Sequence, residues 1–335
     1  MKFGSIPVAE AEGAILAHSL RLPDRGRLAK GSVLTADAIA TLQDAGHSEV
    51  IAAVLEPGDI EENAAAQALA DAILTEGSGL RASGAGAGRV NLYATGSGIL
   101  ALDVARINGM NAVHPMITLA TLQQYQGVET GQMVATIKII AYAVPEDALK
   151  EVCADAQGTL ELRPPVYGMA TLIETRVGNE TPSRKGRAAL AERLDRLGLG
   201  LTDRVVVGHL EEPLAEAISQ AAGEFVFVLT ASATSDPHDV APEALRRAGG
   251  TVAAYGMPVD PGNLLFFGAL GEKPVIGLPG CARSPAMNGA DWVLERLICG
   301  IELGQSDISA MGVGGLLKEI PTRPRPRGGD THHGD

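Results

Sequence analysis

Residues 225–243 run Phe225-Val226-Phe227-Val228-Leu229-Thr230-Ala231-Ser232-Ala233-Thr234-Ser235-Asp236-Pro237-His238-Asp239-Val240-Ala241-Pro242-Glu243. Five successive apolar residues suit a buried strand. The small and hydroxyl-bearing residues after it suit a loop whose backbone can approach a ligand closely. Asp239 then stands near a helix start. Outward from this stretch the same alternation repeats. Residues 169–175, 205–207 and 252–255 predict strands, and helices are predicted at about 184–197, 213–222 and 240–248, the last stopped by Gly249-Gly250. A hairpin, 264–269 against 274–276, is expected to turn at Gly271-Glu272, and a last helix is expected over about 284–297. Alternating strands and helices imply βαβ units: a three-layer αβα, mostly parallel sheet.

The amino-terminal half has a different texture. Thr35 is a candidate N-cap for a short helix through Leu42 that ends near Gly46, and residues 50–54 predict a strand. Residues 59–81 suit a helix, Ala-rich from Asn63 to Leu74. Ser83-Gly84-Ala85-Gly86-Ala87-Gly88 could cradle a phosphate only with a strand before it and a helix after. Strand-like residues 90–93 follow instead, so it reads as a plain loop. Residues 90–144 look β-rich, with a long strand over 132–140, residues 118–122 open to helix or strand, and a short helix and linker over 145–160. The expected organisation is an insertase-like segment at 1–58, a β-rich α+β region at 59–160, an α/β domain at 161–303 and an extension at 304–335. The Pro-Arg tail should be disordered from about residue 321.

Composition narrows the function. The chain has 335 residues and a formal net charge of −13, which argues against a nucleic-acid partner. An anionic small ligand would have to be held by backbone N–H groups and helix N-termini. Cys153, Cys281 and Cys299 are too scattered for a disulfide framework or a zinc knuckle. No apolar signal core or membrane-length stretch is evident, so a cytoplasmic protein is expected.

In open α/β sheets, ligands bind beyond the carboxyl ends of the strands. Three loops qualify. The first is 230–239, where Asp239 is either an N-cap or a ligand-binding carboxylate. The second is Gly256-Met257-Pro258-Val259-Asp260-Pro261-Gly262-Asn263, a rigid turn that Asp260 and Asn263 could simply satisfy. The third is Gly277-Leu278-Pro279-Gly280-Cys281-Ala282-Arg283-Ser284-Pro285, a strand, a Gly-rich turn and a helix start in the order that binds anions. Arg283 can add a bidentate clamp on phosphate. Cys281 is either an activated thiol or a small turn residue.

At these loops the chain resembles the molybdopterin-binding domain shared by molybdopterin adenylyltransferases and molybdenum insertases. Thr230 with Asp239-Val240-Ala241-Pro242-Glu243-Ala244 resembles the family loop that begins Thr-Gly-Gly and ends Asp-Val-x-Pro-Glu-Ala. Pro261-Gly262 resembles the Pro-Gly-Lys turn. Lys273-Pro274-Val275-Ile276-Gly277-Leu278-Pro279-Gly280 is the most specific stretch, and residues 31–54 resemble a segment that precedes this domain in insertases. The resemblance implies binding of molybdopterin or its nucleotide form, with Thr175, Thr230, Ala231, Ser232, Ala233, Thr234, Ser235, Asp239, Pro261, Gly262, Asn263, Pro279, Gly280, Cys281, Arg283 and Ser284 around it. If the chain turns over, Asp239 and Asp260 would be catalytic and could hold Mg. Implied partners are a molybdopterin nucleotidyltransferase, an apo-molybdoenzyme or a second copy in a homo-oligomer. Ala231-Ser232 replaces the family's Gly-Gly, Asn263 replaces the Lys, and Arg176-Val177-Gly178-Asn179-Glu180 replaces a Gly-Asp-Glu loop. An added Cβ restricts φ, and a lost Lys removes a charge that would serve an anionic transition state. Binding is therefore better supported than catalysis.

Overall fold

The structure is a computed structural model that describes residues 1–22 and 26–317. The expected disordered tail from 321 lies outside the described residues. Contacts divide the chain into two compact units, residues 1–164 and 165 onward.

The first unit opens with an antiparallel sheet of Lys2–Pro7, Glu49–Val54 and Ile15–Leu16. The helix Ala36–Asp44 begins where expected, because the Thr35 side chain accepts the Ala38 N–H. Val8, Leu16, Leu34, Leu42 and Val50 close a small core. A second, larger core gathers Leu69, Ile73, Leu92, Leu100, Ile117, Ile137 and Leu160. It lies under a four-stranded antiparallel sheet ordered Ile117–Thr121, Met133–Ile139, Arg89–Ala94 and Leu80–Ala82. One expectation is corrected here and two are made definite. The helix over 59–81 is confined to Glu62–Ile73, where the Glu61 carboxylate caps the Asn63 and Ala64 N–H groups, and its expected ends are the strands Asp59–Glu61 and Leu80–Ala82. Residues 118–122 resolve to a strand, since Ile117 and Leu119 point into the core and alternate with more exposed neighbours. The β-rich stretch also contains a helix, Val104–Val113, whose Asp103 cap accepts the Arg106 N–H.

The second unit is the mostly parallel sheet read from the sequence. Its elements are β1 (Met169–Arg176), α1 (Lys185–Asp195), β2 (Gly200–Leu201), β3 (Val205–Gly208), α2 (Glu211–Ser219), β4 (Phe225–Leu229), α3 (Val240–Arg247), β5 (Thr251–Tyr255), β6 (Phe266–Leu270), β7 (Lys273–Leu278), α4 (Gly289–Ile298) and α5 (Gln305–Ala310). The order is β2-β1-β4-β7-β6-β5, and β3 also pairs with β1. Strands β1, β2, β3, β4 and β7 are mutually parallel, and β6 runs against both β7 and β5. Alternate residues of the buried strands feed opposite faces. Ile173, Val226, Val228 and Val275 pack with Leu214 and Ile218 of α2 and Leu245 of α3. Helices α1 and α4 cover the other face, joined by the buried Arg193–Asp291 pair.

The last helix is also corrected. It starts at Gly289 and not near Ser284, with Asn288 and Asp291 forming a capping box. The cause lies in α1. All five N–H groups of Arg193 are used: Nε on Asp291 Oδ1 (2.5 Å), Nη1 on the carbonyls of Ala189 (3.1 Å) and Ala282 (3.2 Å), and Nη2 on those of Ser284 (2.8 Å) and Ala286 (3.0 Å). Three carbonyls between residues 282 and 286 are turned onto this guanidinium, which keeps the segment out of a helix.

Candidate functional site

The carboxyl ends of β1, β3, β4 and β7 lie along one rim of the sheet, because these strands are parallel neighbours. The turn after β5 lies on the same rim, since Tyr255 pairs with Phe266 and Phe266 with Gly277. All three loops singled out in the sequence therefore open on this rim.

The first loop is anchored at both ends. Thr175, buried at the end of β1, accepts the Ala231 N–H at Oγ1 (2.8 Å) and sits 2.9 Å from His209 Nδ1. Thr230 donates its hydroxyl to the Ser232 carbonyl (2.6 Å), and the Tyr255 hydroxyl donates to the carbonyl of buried Thr234 (3.0 Å). Between these anchors Ala231, Ser232, Ala233 and Ser235 are exposed. Asp239 is the N-cap of α3: Oδ1 accepts the Val240 N–H (2.7 Å) and Oδ2 the Ser235 N–H (2.9 Å). Both carboxylate oxygens thus shape the loop.

The second loop turns through a cis Asp260–Pro261 bond. The Pro261 carbonyl accepts the Gly289 N–H (2.8 Å). A Cβ on Gly262, whose φ is +141°, would lie 2.7 Å from Gly289 N, so glycine is required for this close approach. The Asp260 N–H donates to the Gly315 carbonyl (2.8 Å), and the Asp260 carbonyl accepts the Leu317 N–H (3.0 Å). Asn263 is exposed, and its carbonyl accepts the Met257 N–H (3.0 Å).

In the third loop, buried Pro279 leads into a single tight turn, Gly280–Arg283. The Arg283 Nη2 donates to the Thr230 carbonyl (2.6 Å), which joins loops one and three. Among the described residues this guanidinium has no carboxylate partner. Burial pushes the Cys281 thiol up, and nearby Asp260 adds to the effect while Arg193 opposes it. This shift is opposite to the one that an activated thiolate at a helix start would show. The Ser284 hydroxyl accepts the Ala286 N–H (3.2 Å) and caps its own turn.

Thr175, Thr230, Ala231 and Arg283 are thus brought together through direct hydrogen bonds. Asp239 and Asn263 serve their own loops, while Pro261 and Gly262 pack the second loop against Gly289 at the start of α4. Among the described residues no group of three or more His, Cys, Asp or Glu side chains is placed to hold a metal ion. Sequence reasoning missed His209 and Arg193. His209 has no local pattern to mark it, but Arg193 shares a helical face with Leu190, Leu194 and Leu197, an odd place for a cation. A cavity of about 520 Å³ lies away from the rim, between β1, β3 and α2, and is lined in part by Thr171, Thr202, Val205, Val207 and Glu216.

Exposed small residues 231–233 therefore stand next to the Arg283 guanidinium at the carboxyl rim of an α/β sheet. Residues 177–298 match the family described as "Probable molybdopterin binding domain". Residues 5–54 match a family described as "Domain of unknown function (DUF8806)". A solved structure of the molybdopterin biosynthesis moea protein from Pyrococcus horikosii is similar at 15% identity, covering 89% of this chain and 75% of that chain, with a TM-score of 0.30. No curated protein sequence matches the chain. Among the described residues no helix is long and apolar enough to cross a membrane.

Proposed function

We propose that the second unit binds molybdopterin or its nucleotide form at the carboxyl rim of its sheet and serves synthesis or delivery of the molybdenum cofactor without turning it over. The family match of residues 177–298 supports the ligand class. The observation that carries the reading is Arg283: its Nη2 is held by the Thr230 carbonyl, no carboxylate neutralises it, and it stands beside the small residues 231–235. A phosphate-bearing pterin supplies the missing anion.

Residues 161–303 would form the binding domain, with Thr175, Thr230, Ala231, Ser232 and Arg283 closest to the ligand. Asp239 and Asp260 fit a structural role better than a catalytic one, since Asp239 spends both oxygens on backbone N–H groups and the main chain of Asp260 pairs with residues 315–317. The client would be a nucleotidyltransferase or an apo-molybdoenzyme. Isothermal titration of the full chain with molybdopterin tests the reading: saturable binding is expected, and no heat from folded protein at micromolar concentration overturns it. Adding molybdate and Mg to adenylylated molybdopterin should give no turnover. Turnover that Asp239→Asn abolishes would show an enzyme instead.

A further inference from the structure

The four-stranded sheet of the first unit has a polar outer face that the reading above does not use. Strand register lays it out in rows: Arg81 opposite Tyr93 opposite Met133, Asn91 opposite Thr136, and Arg89 opposite Lys138. Val90, Leu92 and Ala94 alternate with Arg89, Asn91 and Tyr93 and fill the core, so the second set faces outward. The outward set is held in place by its own contacts. The Arg81 guanidinium lies 4.8 Å from the centre of the Tyr93 ring. The Asn91 amide meets the Tyr93 hydroxyl at 3.4 Å, the Thr136 hydroxyl donates to Asn91 Oδ1 at 2.8 Å, and Arg89 Nη1 donates to Thr136 Oγ1 at 2.8 Å. Among the described residues neither arginine has a carboxylate partner.

The chain as a whole has a net charge of −13. Charge is segregated here: residues 77–145 carry two carboxylates, Asp103 and Glu129, against four cations, Arg81, Arg89, Arg106 and Lys138. Asp103 is spent on a helix cap, and Lys138 is turned to the Ala87 carbonyl and the Glu62 carboxylate. Arg, Tyr and Met are the residue types enriched at the centres of protein interfaces, where Glu and Asp are depleted. Met133 is 48% exposed beside Tyr93. A face locked by internal hydrogen bonds also loses little freedom on binding.

We propose that this face docks an acidic segment of a partner protein, with Arg81 and Arg89 taking its carboxylates and Tyr93 and Met133 packing beneath it. Planar guanidinium groups suit bidentate carboxylate pairing. Four residues along one strand and one strand across place the two arginines about 14 Å apart, which fits carboxylates at positions i and i+4 of an extended segment.

The test is selection of peptides from a random display library on the full chain, with counter-selection against the Arg81→Gln/Arg89→Gln double variant. Both arginines are exposed, so the variant should melt with the wild type. Enriched peptides should carry paired acidic residues. Synthesised and titrated, they should bind about tenfold or more weakly to each single variant, bind normally to Arg21→Gln, and weaken with salt. The proposal is overturned if nothing enriches, if enriched peptides lack carboxylates, or if the double variant binds them equally. It is also overturned if an oligothymidylate of equal charge binds more tightly, or if sedimentation shows wild-type self-association that the double variant loses, which would make the occupant a second copy.

Discussion

Thr175 uses one oxygen to organise two loops. It accepts the Ala231 N–H and lies 2.9 Å from His209 Nδ1. Thr175→Val keeps the shape of the buried side chain but removes the acceptor, at an expected cost of about 1 kcal/mol. The Ala231 amide should then exchange faster with solvent by hydrogen-exchange NMR. Unchanged exchange would mean that the loop holds itself. Neither partner of Thr175 could be found from the sequence, since both lie more than thirty residues away and no local spacing links them. Asp239 was legible as a cap because its contacts are local: a loop amide four residues back and the next residue's N–H.

Helix α1 carries the largest expected single-site effect. Arg193→Met strips five hydrogen bonds and leaves buried Asp291 without its partner. Removing one member of such a pair typically costs about 3–5 kcal/mol. Urea unfolding should show a loss of that order, and pairing it with Asp291→Leu should recover part of it. A loss below about 1 kcal/mol would mean that the third loop does not depend on this staple. The same interaction explains why the start of α4 was misplaced. Ser284-Pro285 resembles a helix opening, but the carbonyls that would continue it are claimed by an arginine about ninety residues earlier in the chain. Strands β1, β4 and β7, by contrast, were legible because burial on both faces writes continuous apolar runs.

Helix α4 also holds Glu295, whose carboxyl is pushed up to about 7, first by burial and then by Asp291, against the pull of Arg196, Arg296 and Arg193. A carboxyl with a folded pKa above its unfolded value binds protons more tightly when folded. Its contribution to stability is therefore complete below the ordinary value near 4.5 and is lost as pH rises through about 7. Glu295→Gln should flatten the fall in melting temperature between pH 5 and pH 8 (roughly that titration window), with the variant more stable than wild type at the upper end. A steeper fall in the variant would contradict the assignment.

Among the described residues of this acidic chain several cations have no carboxylate partner, and two places among them carry the proposed contacts. One is Arg283 at the sheet rim of the second unit, and the other is the Arg81–Arg89 face of the first. Overall composition concealed both, because a net charge of −13 says nothing about where the minority charges gather. Cys153 and Cys281 are free thiols, and burial raises both. Reductant should accordingly leave the melting temperature unchanged, and thiol reagents should react slowly at neutral pH. A melting shift on reduction would reveal a disulfide between chains.

The central claim is that Arg283 serves a ligand and not the fold. The decisive measurement compares molybdopterin affinity and thermal stability in wild type and Arg283→Ala. Affinity should fall about tenfold or more, as loss of a charged hydrogen bond to an anion implies, while the melting temperature moves little. Equal affinity in the two proteins, or a loss of binding matched by a loss of stability, would contradict it.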